Sequence, residues 1–243
     1  METIRIVHLF PKLLSLYGEY GNVAILEKSL RESGYPVEVV PYEDGPLSLG
    51  DASFVYVGSG TEDNLLEAAR RLSPSRAAIA DSIAQGTVWL ATGNAMTLFG
   101  QTISYRGAEA AGLAAFPYTT VLDEKTRYLG DVLSSSDNLC QSPMVGFINT
   151  ASVYSSTDAP LVTLRLGSRL GNDKESACDG IYHGRFFGTQ LIGPVLVKNP
   201  RFLELIFREI TGAAFSVPPE SNQEKAYRTA CTELQKRLEK GHK

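Results

Sequence analysis

The chain is poor in the residues that most often announce a chemistry. It has three cysteines, three histidines, three methionines and a single tryptophan among 243 residues. Cys140, Cys178 and Cys231 are odd in number and far apart, which excludes a disulfide framework and a CxxC metal pair and predicts three reduced thiols. Basic residues are in deficit, with 23 Lys and Arg against 27 Asp and Glu for a net charge of -4. That balance offers no broad cationic surface for phosphates and argues against nucleic acid and anionic membranes as partners. No apolar run is long enough to cross a bilayer, so an integral membrane protein is not expected. The opening METIRIVHLFPK lacks the charged leader, long apolar core and cleavage site of a signal peptide, which predicts a cytoplasmic location. What remains is an ordinary globular composition, 43% hydrophobic and 21% charged, sufficient for one substantial core.

The order of elements is more informative. TIRIVHLF reads as a strand and NVAILEKSLRESG as a helix, with Val23, Leu26 and Leu30 at helical spacing and Gly34 as its C-cap. PVEVVPY and the almost unbroken apolar ASFVYVG add two strands, the latter of the kind a parallel sheet buries on both faces. Thr61 caps a helix in TEDNLLEAARRL, and a Ser73-Pro74 break precedes another in SRAAIADSIAQG, which leads into the strand TVWLAT. This alternation predicts a doubly wound, mainly parallel sheet. From about residue 112 short segments punctuated by Gly, Ser, Asn and Pro predict mixed or antiparallel strands at one side of that sheet. Pro200 opens a helix in PRFLELIFREITG. After the linker-like PPESN, Ser221 and Glu224 form a capping box for a last helix striped by Tyr227, Cys231, Leu234 and Leu238. The expected organisation is one domain over residues 1–217 with a helix, 218–243, docked on it.

Three strand ends are candidates for chemistry. In VYVGSGTEDN, Gly58 and Gly60 allow close backbone approach, and the following helix start offers N–H groups to an oxyanion; a turn that needs positive φ explains the same glycines. ATGNAMTLFG has the strand, turn and helix of a nucleophile elbow. FFGTQLIGPVLVKNP is an apolar strand entering the Gly193-Pro194 turn. Taken together with HLFPKLLSLYGEYGN at the start, and with TRYLGD and VGFIN between, these stretches resemble the class I (triad-type) glutamine amidotransferases. Within them the chain is most similar to the small amidotransferase subunit of lipid II isoglutaminyl synthase, with a relation to the cobyric-acid-synthase amidotransferase domains. The resemblance implies a three-layer, flavodoxin-like α/β fold with a mixed, mainly parallel sheet, no cofactor, and a Mur-ligase-like synthetase subunit as partner in a heterodimer.

The same resemblance sets the family's cysteine nucleophile at Gly93 and its histidine base at Ile192, so both reacting side chains are absent. Thr92 is a poor substitute, since a hydroxyl needs a strong base and Ile192 is none. After GFI the chain reads Asn149, Thr150, Ala151 and Ser152 where the relatives carry N-H-G-G. Cys140 and Cys178 fall in polar loops, His183 in a hairpin turn, His8 at a strand end and His242 in the tail. Gly58, Gly60, Asn94 and Arg127 remain as candidate substrate-binding positions. By the resemblance Arg127 helps hold glutamine; pairing with Asp131 or Glu124 is the competing expectation. The leading functional expectation is a non-catalytic subunit of lipid II amidation, with an active glutaminase using a displaced nucleophile and a sensor of a glutamine-like ligand as alternatives.

Overall fold

A computed structural model of the chain describes residues 2–135, 141–155 and 159–241. Cys140 and His242 lie outside the described residues. Fifteen strands are described, in chain order β1 (Ile4–Leu9), β2 (Val37–Tyr42), β3 (Phe54–Val57), β4 (Val88–Thr92), β5 (Thr102–Tyr105), β6 (Ala108–Ala111), β7 (Thr119–Leu122) and β8 (Tyr128–Ser134). They continue with β9 (Val145–Thr150), β10 (Ser152–Tyr154), β11 (Val162–Leu166), β12 (Cys178–Asp179), β13 (Ile181–His183), β14 (Phe186–Thr189) and β15 (Leu191–Ile192). The α-helices are α1 (Tyr20–Glu32), α2 (Glu62–Leu72), α3 (Arg76–Ala84), α4 (Val195–Lys198), α5 (Pro200–Thr211) and α6 (Asn222–Glu239).

The central sheet has the order β13-β14-β4-β3-β1-β2. Its five strands from β14 to β2 are parallel, and β13 runs antiparallel at the edge. This is the mixed, mainly parallel sheet of a flavodoxin-like fold, whose strand order reverses between β1 and β3. Both faces are covered, and the side chains alternate accordingly. Val7, Leu9, Val55, Val57, Trp89 and Ala91 enter one core cluster. Ile6, Phe54, Tyr56, Val88 and Leu90 enter the other, against α1 and α5.

Local signals hold where a backbone group needs a partner. The Thr61 hydroxyl accepts the Asn64 N–H and starts α2. Pro200 occupies the first turn of α5, and Gly212, at φ +69°, ends it in the left-handed region. The Ser221 hydroxyl accepts the Glu224 N–H, but the expected return bond of the capping box is missing: the Glu224 carboxylate pairs instead with Arg201 and Arg228. The later strands also differ from expectation. Only β13 and β14 add to the central sheet, whereas the rest build two separate sheets, β10-β7-β5-β6 and β12-β11-β8-β9-β15. The pairings β15 with β9 and β10 with β7 join segments remote in sequence, which local pattern does not encode.

Helix α6 lays Tyr227, Ala230, Cys231, Leu234 and Leu238 against Leu133, Val145 and Leu166 of the third sheet. Arg237 pairs with Asp131 near one end, and the Tyr227 hydroxyl donates to Pro143 O at 2.8 Å.

Candidate functional site

The C-terminal ends of β3 and β4 face the turn that follows β15. Thr92 closes β4 and pairs in register with Thr189 of β14, after which the chain leaves the central sheet and Ile192 joins β9 opposite Phe147. Gly93 follows Thr92 at φ +61°, the left-handed conformation that suits glycine. A Cβ at position 93 would overlap Ser59 Oγ and lie 2.7 Å from Ile192 Cγ2. Gly93 and Ile192 are thus neighbours across the sheet edge. The space beside them is filled by Ser59 and by Ile192 itself. Residues Gly93–Phe99 form a wholly buried 3₁₀ helix rather than the α-helix expected after an elbow. It is held where Tyr118 donates to Met96 O and Thr97 meets Ser152 Oγ at 3.1 Å, so Ser152 of the altered NTAS segment anchors the turn.

The group that dominates this edge is Glu19, which is fully buried. Its Oε2 accepts from Thr92 Oγ1, from Tyr56 OH at 3.2 Å and from Ser59 Oγ at 3.3 Å, while Oε1 accepts the Gly193 N–H at 3.0 Å. Tyr56 OH also lies 2.8 Å from Thr92 Oγ1 and accepts from Asn22 Nδ2 at 2.9 Å. The carboxyl therefore ties β3, β4 and the 192–193 turn together. Burial raises its pKa, and the bonds from Thr92, Gly193, Tyr56 and Ser59 pull in the opposite direction without cancelling that rise.

Glu19 reaches this position because residues 10–19 fold over the edge as a strap. Phe10 (φ 53°) and Tyr17 (φ 61°) adopt left-handed backbone at its two bends. The Leu16 N–H donates to Ser59 O at 3.1 Å, and Asn64 Nδ2 to Leu13 O at 2.9 Å. Gly58 and Gly60 are small because of this strap. A Cβ at 58 would stand 3.2 Å from Glu19 Cβ, and one at 60 would overlap Leu14 Cδ2. Neither glycine has positive φ, so close approach rather than turn geometry accounts for both.

Asn94 is 5% exposed and spends its amide on Gly60: Oδ1 accepts the Gly60 N–H at 3.1 Å and Nδ2 donates to Gly60 O at 2.7 Å. The Gly60 backbone, in the loop expected to approach a ligand, is thereby engaged on both its N–H and its carbonyl. Arg127 is exposed and pairs with neither Asp131 nor Glu124. Its guanidinium reaches Glu62 Oε1 at 3.0 Å, in the first turn of α2, and Asn149 Oδ1 at 2.7 Å.

His8 lies beside Tyr56 with ring centroids 5.2 Å apart, and burial lowers its pKa to about 4, so it is neutral at physiological pH. Cys178 lies on β12 and Cys231 on α6, each partly exposed. His183 packs edge-on against Phe116 on β13. Among the described residues none of these side chains hydrogen-bonds to Thr92, Ser59 or Glu19. Sequence reasoning missed Glu19 altogether, although it sits inside the LYGEYGN opening quoted above. Chemically, the edge offers a hydroxyl and a carboxyl, Thr92 and Glu19, in direct contact. Both are fully buried, and Thr92 Oγ1 is already shared between Glu19 and Tyr56. Among the described residues no three His, Cys, Asp or Glu side chains gather as a metal site requires, and no helix is long and apolar enough to cross a membrane.

A sheet of this order, with a strand-turn edge at β4 and an adjoining turn after β15, defines the class I glutamine amidotransferase fold. Two solved structures share it. A glutamine amidotransferase from Thermotoga maritima superposes with a TM-score of 0.52 at 12% identity, covering 98% of this chain and 95% of that one. Another glutamine amidotransferase gives 0.53 at 14% identity, over 85% and 99%. The CobB/CobQ-like glutamine amidotransferase domain matches residues 5–200, and the chain belongs to that family. It is similar to the GatD subunit of the glutamine-hydrolyzing lipid II isoglutaminyl synthase of Staphylococcus aureus (strain N315), 27% identical over 202 residues, 82% of this chain and 81% of the relative. The corresponding subunit from Streptococcus pneumoniae (strain ATCC BAA-255 / R6) is 26% identical over 216 residues, 86% and 80% of the two chains.

Proposed function

We propose that this chain is a non-catalytic amidotransferase-like subunit of a lipid II-amidating synthetase, acting as the binding and structural partner of a Mur-ligase-like subunit on the cytoplasmic side. In this reading residues 1–217 form the amidotransferase-like domain and 218–243 a helix docked on it. Gly93 and Ile192 hold the places of the nucleophile and its base. The observation that carries the reading is the space at Gly93, where Ser59 Oγ and Ile192 Cγ2 stand in the way of any side chain, with the Glu19 carboxyl bound to Ser59 and Thr92 beside it. Losing a nucleophile alone costs on the order of a million-fold in a hydrolytic triad, and here the base is missing with it. The family domain and the relatives' place as a subunit of lipid II isoglutaminyl synthase support the partner assignment.

The contact between Thr92 and Glu19 favours one rival, a glutaminase with a hydroxyl nucleophile and a carboxylate base. A ligand sensor at Gly58, Gly60 and Arg127 has less support, since Asn94 and Glu62 already occupy those groups. The experiment is to co-express the chain with its synthetase and supply ATP, the lipid II acceptor and either ammonium or glutamine. Amidation from ammonium but not from glutamine is the expected result. Amidation supported by glutamine overturns the reading.

A further inference from the structure

Between α6 and the third sheet lies a cavity of about 580 Å³, well separated in character from the buried polar edge around Glu19. That volume falls within the ordinary range for small-molecule sites, roughly 300–1,000 Å³. Its origin is legible in the residues. Helix α6 is held by the Glu224 pair with Arg201 of α5 near its start and by Arg237 with Asp131 near its end. Between those anchors it presents Ala226 and Ala230, which are too short to fill the space above Val145 and Gly146. Val197 and Leu234 complete the apolar wall.

One cation lines this space. Lys198 is the last residue of α4, half-buried, and among the described residues its ammonium donates only to Ile192 O, at 3.5 Å. No carboxylate lies within ion-pair distance of it among the described residues, although Asp131 and Glu19 attract it from farther away. The two acids of the cavity wall are already engaged, Asp131 by Arg237 and Glu233 by Lys236. A half-buried ammonium with no carboxylate in ion-pair distance among the described residues, beside an apolar wall, suits a ligand with one negative oxygen group and an apolar body. The two acids in the wall disfavour a dianion.

We propose that the cavity under α6 is a binding site for a small amphipathic monocarboxylate, with Lys198 as the anchor of its carboxylate and the Ala226–Ala230 face as the seat of its apolar part. Desolvation lowers the Lys198 pKa, the state of a cation that a bound carboxylate would relieve. The site adjoins the Glu19 edge at Lys198, whose ammonium lies over the Ile192–Gly193 turn, and nothing in it requires glutamine.

Isothermal titration with octanoate, against octylammonium, octanol and octyl phosphate, tests the proposal on the full chain. Octanoate is expected to bind at least about tenfold more tightly than each control, a factor equivalent to about 1.4 kcal/mol. Lys198→Met is expected to remove that preference, and Ala230→Phe to weaken octanoate at least tenfold by filling the space. Should Lys198→Met fail to fold, the ε-methylene resonance of Lys198 in the unmodified protein is to be followed by NMR, where octanoate must shift it and octanol must not. Absence of octanoate binding, equal binding of octanoate and octylammonium, or an unchanged affinity in a folded Lys198→Met each overturns the proposal.

Discussion

Replacing Glu19 separates its structural role from its charge. Glu19→Ala deletes the acceptor of four donors. The three hydroxyls of Thr92, Tyr56 and Ser59 can turn toward one another or toward Thr92 O, but the Gly193 N–H has a fixed direction and no replacement partner. One orphaned buried N–H costs about 1–3 kcal/mol, and the space left by the side chain adds about 1–2 kcal/mol, so a loss of about 2–5 kcal/mol is expected. That is a large share of a domain's total stability of about 5–15 kcal/mol. Glu19→Gln keeps the volume. Its amide oxygen accepts from Gly193 and its NH₂ donates to hydroxyls that accept equally well, so the cost at neutral pH is expected below about 1 kcal/mol. The pH dependence distinguishes the two acceptors further. Burial raises the folded-state pKa of Glu19, so its contribution is fully present below the unfolded value and is lost as pH rises through the folded one. Each one-unit rise in that pKa corresponds to about 1.4 kcal/mol. Glutamine carries no such loss, and the stability difference between wild type and Glu19→Gln must move in favour of glutamine as pH increases. His8 titrates in both proteins and cancels in the difference. Urea unfolding at about pH 5 and about pH 8 reads this directly. A tolerated Glu19→Ala, or a difference independent of pH, refutes the reasoning.

Gly93→Cys places a Cβ on Ser59 Oγ at a positive φ, and is expected to cost about 2–4 kcal/mol, part of it returned by Ser59→Gly in the same chain; thermal melting of the single and double variants checks this. Arg127→Ala gives up an ion pair whose side chains are 42% and 19% exposed, and is expected to change stability by less than about 1 kcal/mol by urea unfolding. The His8 imidazole should titrate near pH 4 by NMR, below its ordinary value of 6.5. Because the folded state holds it neutral, its contribution to stability is lost as pH falls from about 6.5 through about 4. A midpoint near 6.5 would mean that the imidazole is solvated.

The alternation of strands and helices in the first hundred residues was legible because each element buries a face of its own period. Val7 and Leu9 go to one side of the sheet while Ile4 and Ile6 go to the other. Thr61 and Pro200 were legible for a different reason: each settles a backbone requirement within a few residues. Glu19 was not, since LYGEYG carries no periodicity that would mark an acid for burial, and its partners come from positions 56, 59, 92 and 193. The one signal available was an acidic residue within the quoted LYGEYGN opening, flanked by Tyr17 and Tyr20. Arg127 shows the same limit. Its neighbours in sequence, Glu124 and Asp131, were the natural partners, whereas α2 brings Glu62 to it across the fold. The elbow glycine was placed by family resemblance, and the reason a side chain does not fit there lies in Ser59, a residue of another strand end.

Ammonia release from glutamine by the purified complex with the synthetase subunit tests the central claim most directly. It should be measured for the wild-type chain beside one carrying Ser59→Gly, Gly93→Cys and Ile192→His together. The account predicts no release above the protein-free blank from wild type, because it assigns the thiol and base positions to Gly93 and Ile192, and Ser59 and Ile192 leave no room for a side chain at position 93. Turnover of glutamine by the wild-type complex, abolished by Thr92→Val or Glu19→Gln, would contradict it and establish the buried hydroxyl and carboxyl as the reacting pair.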